Sequence, residues 1–270
     1  MMRYALHAAA VLVGGLSLSP LAFAAPDWTS VPATTIHVFH PGVTPWEWIE
    51  SKGKHGGSRG LSRGESCAGC HVENGEINVD LERMAGELDP KGGPAVRAFP
   101  VQVQAAYDAG QLYVRMSFKA PAGGIDKSDK DNAVKATVLF PNAEVPMAEQ
   151  VGCWATCHQD ARTMPDGKDK TKYTSAGAYE LMQWASSGKV ADGSITDQRR
   201  MEGGQAGVKA EGAKQGDTWT VTFSRKLPAS PTVHFGIAVH ADHAAGRFHH
   251  VSFGHTIGLG AEGDVKAKKF

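Results

Sequence analysis

Four cysteines constrain this chain more than any other feature. They fall into two short pairs, each followed at once by histidine: Cys67-Ala-Gly-Cys70-His71 and Cys153-Trp-Ala-Thr-Cys157-His158. With 12 histidines in 270 residues, a given position is histidine roughly one time in twenty, so two such placements by chance are rare. Two thiols about one turn apart can add to the two vinyl groups of one haem. A histidine beside the second thiol is then held under the iron as its proximal ligand. The spacing therefore predicts two covalently bound haem c groups, tethered by Cys67 with Cys70 and by Cys153 with Cys157, with His71 and His158 as axial ligands. Two competing chemistries fit the cysteines alone. Four thiolates in two short pairs suit a structural zinc site, and an oxidising compartment favours disulfides, although a bridge between such near neighbours closes too small a loop to stabilise much. Neither requires a histidine after each pair.

The amino terminus points to export. Met1 to His7 carries Arg3 and no acid, Ala8 to Phe23 is largely apolar, and Ala22-Phe23-Ala24 fits the small-x-small rule. We expect a signal peptide over 1–24, cut after Ala24, and a periplasmic mature chain. No later run approaches the roughly 18 apolar residues of a spanning helix, so no membrane span is expected in the mature chain. Without Arg3 its charge is nearly balanced, 27 basic residues against 28 acidic, which argues against nucleic acid as a partner.

Residues 25–92 are irregular and rich in glycine and charge, with a short strand expected over Thr34–Phe39 and a turn of helix over Trp46–Ser51. This segment holds little apolar material, and a haem would supply much of its core. Beyond Gly93 the pattern alternates. Leu112, Val114, Met116 and Phe118 share one face of Gln111–Phe118, the period of a half-buried strand. Pro100–Ala105, Val134–Phe140, Trp219–Phe223 and Val233–Val239 read the same way, separated by glycine- and aspartate-bearing turns. The expected fold class is mainly β: an antiparallel β-sandwich haem-binding domain over 93–270, preceded by a small irregular haem-binding segment over 25–92. A helix is expected over Ala176–Ser186, followed by a long polar loop as far as Lys214 that covers the second haem.

Several of these runs resemble a known family. Gly152-Cys-Trp-Ala-Thr-Cys-His158 with Arg162, Met164 and Pro165, and Gly236-Ile-Ala-Val-His-Ala-Asp-His243 with Arg247-Phe-His-His-Val-Ser-Phe253, are similar to the c-type branch of the ethylbenzene dehydrogenase-related haem-binding domain family. The resemblance implies a β-sandwich that holds haem and serves electron transfer, often beside a periplasmic redox enzyme. Relatives that are enzyme subunits hold a non-covalent haem b between methionine and lysine, and that axial pair does not transfer to a chain with thioether motifs. Pro41-Gly42, Trp46-Glu-Trp48 and His55 ahead of Cys67 resemble haem segments fused to this domain in multihaem cytochromes.

The second axial positions are read from the remaining histidines. For the first haem, among His37, His40 and His55, we favour His55, which lies in a glycine-bounded loop and matches the histidine of the resembling segments. For the second, alternation places His249 with Val251 and Phe253 and His250 with Ser252. A ligand approaches from the buried side, which favours His249, with His250 and His240 as alternatives. A methionine such as Met147 or Met164 would raise the potential instead. The chain has no zinc helix, nucleotide loop or nucleophile elbow. We therefore expect no enzyme but an electron-transfer protein, serving redox partners such as a periplasmic oxidoreductase or a membrane cytochrome. The alternatives are a haem enzyme acting on a small nitrogen or sulfur compound at an open iron, and a haem-based gas sensor.

Overall fold

A computed structural model describes residues 25–41, 52–53, 55–81, 94–141, 150, 179–195, 199–245 and 248–270. Among these residues the strands are β1 (Ala33–Phe39), β2 (Val72–Glu73), β3 (Glu76–Ile77), β4 (Ala98–Tyr107), β5 (Gln111–Lys119), β6 (Lys135–Pro141), β7 (Tyr179–Ala185), β8 (Val190–Ile195), β9 (Arg199–Arg200), β10 (Lys209–Gln215), β11 (Thr218–Lys226), β12 (Thr232–His240), β13 (His250–Val251), β14 (His255–Leu259) and β15 (Val265–Lys269). Two single-turn helices, α1 (Ser58–Leu61) and α2 (Cys67–His71), precede β2.

The chain is mainly β, as its alternating pattern predicts. All strands but the β2–β3 hairpin join one sheet, ordered β10-β11-β5-β4-β1-β13-β12-β6-β7-β8-β9, with β14 and β15 linking β12 to β4. The sheet folds on itself so that β5, β11 and β4 face β6, β7 and β12 across a core that includes Val101, Val114, Met116, Val138, Met182, Phe223 and Ile237. Within β5, Leu112, Val114, Met116 and Phe118 are buried and the residues between them are not. Most pairings are antiparallel; the two made by β15, with β14 and with β4, are parallel.

The expected helix over 176–186 is a strand where it is described. Tyr179-Glu-Leu-Met-Gln-Trp-Ala185 is rich in helix formers, but the segment pairs with β6 on one side and β8 on the other and is buried on both faces. Tertiary pairing outweighs a propensity of tenths of a kcal/mol per residue. The expected loop as far as Lys214 likewise contains β8, β9 and most of β10. Its glycines serve packing: a Cβ on Gly212 would fall 2.5 Å from the Trp184 indole, which lies against β10.

The sheet also draws on both sides of residue 92. β1 comes from the amino-terminal segment yet pairs over its whole length with β4. Alternation then gives β1 and β12 two apolar faces. Ile36, Val38, Ile237 and Val239 enter the main core. Phe39 and Ala238 turn the other way and join Val251 and Phe253 in a second cluster on the outer face of the sheet.

Candidate functional site

The first cysteine motif sits on that outer face. Ser66 caps α2, its hydroxyl accepting from the Gly69 amide at 3.0 Å, and one helical turn brings Cys67, Cys70 and His71 together. Cys67, Ala68, Val72 and Ile77 pack on the Phe39, Ala238, Val251 and Phe253 cluster. Cys70 is exposed, and neither thiol is in a disulfide. Burial pushes the Cys67 thiol up to about 12, with the neighbouring Cys70 adding to the effect. A buried, uncharged sulfur is what a thioether bond to a haem would leave at this position.

His71 is held by the chain that follows it. Asn74 (φ 52°) and Gly75 (φ 83°) form a tight turn with positive φ at both positions, which folds β3 back on β2 with Val72 opposite Ile77. The turn returns Asn78 to His71. The Asn78 amide donates to the His71 carbonyl at 2.7 Å, and His71 Nδ1, carrying the ring proton, donates to the Asn78 carbonyl at 3.1 Å. This leaves Nε2 as the lone-pair nitrogen, the usual arrangement of a metal-binding imidazole. Sequence reasoning missed the hairpin, although Asn-Gly between Val72 and Ile77 is a strong hairpin signal.

His55 stands beside the motif. Its ring centre lies 6.0 Å from that of His71, with the planes 21° apart. Two imidazoles bonding one metal from opposite sides at about 2.0–2.1 Å each keep their centres about 6 Å apart, so His55 stands at a distance at which it could hold the same iron as His71. Gly57 gives the ring its place, since a Cβ there would stand 3.1 Å from His55 Cε1 and 3.2 Å from Nε2. The His71 ring also lies 6.1 Å from the Phe253 ring.

The structure brings the second-site candidates His240, His249 and His250 together with His40, a candidate for the first haem, around the end of β1. His240 and His249 stack at 5.0 Å with planes 17° apart. His40 Nδ1 lies 3.2 Å from the His249 carbonyl. His250, 1% exposed, packs edge-on to Phe99 at 4.9 Å and places Nε2 2.8 Å from the Val96 carbonyl; its buried Nδ1 has no hydrogen-bond partner among the described residues. Burial pushes both His40 and His250 down to about 4, so both rings are neutral at ordinary pH. The burial order differs from strand alternation: His250 is the more deeply buried and His249 the partly exposed one, because β13 is only two residues long and the chain leaves the sheet on either side of it. Cys153, Cys157 and His158, with Met147, Met164, Trp46–Ser51 and the leader 1–24, lie outside the described residues. Among the described residues no group of three or more histidine, cysteine or acidic side chains is placed to hold a bare metal ion, and no helix is long and apolar enough to cross a membrane.

Fold and site together define a mainly β protein that carries a Cys-x-x-Cys-His helix seated on the outer face of its sheet. The ethylbenzene dehydrogenase family matches residues 25–205, and the chain belongs to that family. It is 45% identical over 271 residues to cytochrome c-552 of Stutzerimonas stutzeri, covering 92% of each chain. It is 44% identical over 252 residues to cytochrome c-551 of Rhodocyclus tenuis, covering 91% of this chain and 100% of that one.

Proposed function

We propose that the chain is an exported, periplasmic dihaem c-type cytochrome that passes electrons between redox partner proteins and performs no chemistry on a substrate of its own. The observation that carries the reading is the α2 site: two thiols on one turn, a histidine whose Nδ1 is committed to Asn78, and a second imidazole 6.0 Å from it. Similarity to two proteins named cytochrome c over more than nine-tenths of the chain supports it. Bound haem supplies a one-electron iron couple, with a potential set by its axial ligands and its burial. The chain's own part is to hold and screen that group. Cys67 and Cys70 tether the first haem, His71 and His55 bind its iron, and the Phe39 and Phe253 cluster shields it from water. Cys153 and Cys157 would tether the second, and His158 and His249 would hold its iron, because the more buried His250 already commits Nε2 to the Val96 carbonyl. A periplasmic oxidoreductase or a membrane cytochrome is the kind of partner such a carrier serves.

The carrier reading requires both irons to be closed by protein ligands. Absorption spectra of the reduced protein, recorded with and without carbon monoxide, test this. Two low-spin haems that leave the spectrum unchanged on the timescale of mixing are expected. Rapid binding at either haem would reveal an open iron and favour an enzyme or a gas sensor instead.

A further inference from the structure

A carboxylate stands beside the more exposed thiol of the first motif. Glu65 Oε2 accepts from the Cys70 thiol, with Sγ 4.0 Å away. An exposed glutamate ordinarily samples many positions, and holding it in one costs side-chain entropy. Here the short connection between α1 and α2 holds it. Leu61, 6% exposed, anchors α1. Gly64, at φ 92°, turns the chain back, and the Glu65 amide donates to the Gly60 carbonyl at 3.0 Å. Arg63 Nη2 donates to the second carboxylate oxygen, Oε1, at 3.1 Å.

Gly60 supplies the room. It is buried in α1, and the three atoms nearest to a Cβ built there all belong to the Glu65 carboxyl group, whose Cδ would stand 2.9 Å away. Alanine favours a helix over glycine, so α1 gives up stability for the space that this carboxylate fills. The resulting ion pair has a direction. Oε2 faces the Cys70 sulfur while the guanidinium meets Oε1, so the negative end is the one turned to the motif.

Resting on the reading of Cys67 and Cys70 as haem tethers, we infer that Glu65 is a positioned charge that lowers the midpoint potential of the first haem. Gly60 and Arg63 are the positioning residues that hold it there. Oxidation leaves one more positive charge at the iron than reduction does. An anion fixed beside the attachment point therefore stabilises the oxidised form by Coulomb attraction, which acts more strongly near protein than in open water. Axial ligands set the range of the potential, and local charge adjusts it within that range. The Glu65 side chain is 51% exposed, so salt weakens the effect.

Redox titration tests this with two variants that change different things. Glu65→Gln removes the charge and keeps the shape. Gly60→Ala keeps the charge and puts a methyl group where the carboxylate lies, at a helical position that alanine adopts readily. Both should raise one midpoint potential and leave the low-spin spectrum unchanged, and the rise in Glu65→Gln should shrink as ionic strength increases. A potential that stays or falls in Glu65→Gln overturns the inference, and one that rises there but not in Gly60→Ala overturns the part given to Gly60. If Glu65→Gln does not accumulate with haem, Gly60→Ala decides by the same criterion. Peptide mass separates the inference from the reading beneath it. A wild-type peptide carrying Cys67 and Cys70 without haem would overturn that reading and the inference with it, whereas a haem-bearing peptide with unmoved potentials overturns the inference alone.

Discussion

His55 and Asn78 do different work at the first site, and single substitutions separate them. His55, its ring 6.0 Å from that of His71, is the second ligand we propose, so His55→Ala should leave the haem attached through Cys67 and Cys70 but open its iron. The expected result is high-spin character at one haem and rapid carbon monoxide binding there, read from the reduced spectrum. An unchanged low-spin spectrum would show that another side chain is the ligand. Asn78 acts through its backbone carbonyl, so its position matters more than its side chain. That position depends on Gly75 at φ 83°, where a β-branched residue costs about 1–3 kcal/mol. Gly75→Val should therefore raise amide exchange at Asn78 and shift the first haem's potential, while the β-sandwich melts as before. Asp108 provides the pH counterpart. Its carboxylate accepts from the Gly110 amide at 2.7 Å and the Gln111 amide at 2.8 Å at the β4–β5 turn, and these bonds, Gly110 first, hold it below the usual carboxylate range. A depressed folded value means that its stabilisation is complete above the ordinary carboxylate range and is lost as pH falls through the folded value. Asp108→Asn should flatten the acid limb of the stability profile and leave neutral-pH haem spectra unchanged.

At the level of elements, β7 is the sharpest departure from the sequence pattern and the best place to test it. Leu181 sits on β7 between Leu139 of β6 and Gly193 of β8, 3% exposed. Leu181→Ala should cost about 2–5 kcal/mol in a denaturant melt, as for other buried leucines. A cost near zero would mean that the strand is not packed as described. The strands β4, β5 and β11 are legible because each buries one face and largely alternates, and β6 and β12, buried on both faces over part of their length, are legible from their β-branched and aromatic residues. β7 is also buried on both faces but carries helix-forming residues, which mislead. β8 and β10 are hidden by Gly193 and Gly212, which look like loop residues but are small because Arg200 and Trp184 press on them. At the site, the Cys67, Cys70 and His71 motif stands out from its spacing, and the structure brings His55 beside it. The role of Phe253 is not legible in the sequence, because it arises only when β13 pairs with β1 across more than two hundred residues of chain.

At the scale of the molecule, the amino-terminal haem segment and the sandwich are interleaved. β1 supplies a strand to the main sheet, and the outer face of that strand seats the motif that follows it. The apolar cover that residues 25–92 lack thus comes in part from Ala238, Val251 and Phe253. A haem clamped between α2 and this face would join the two parts further, since a group bound only to the folded state stabilises it. All of this rests on iron porphyrin bonded through sulfur at the cysteine pairs, and the intact mass of protein made in a host that matures c-type haems measures it most directly. The account predicts a chain heavier than its polypeptide by two haems that survive denaturation. A colourless chain at polypeptide mass, with stoichiometric zinc, would contradict it.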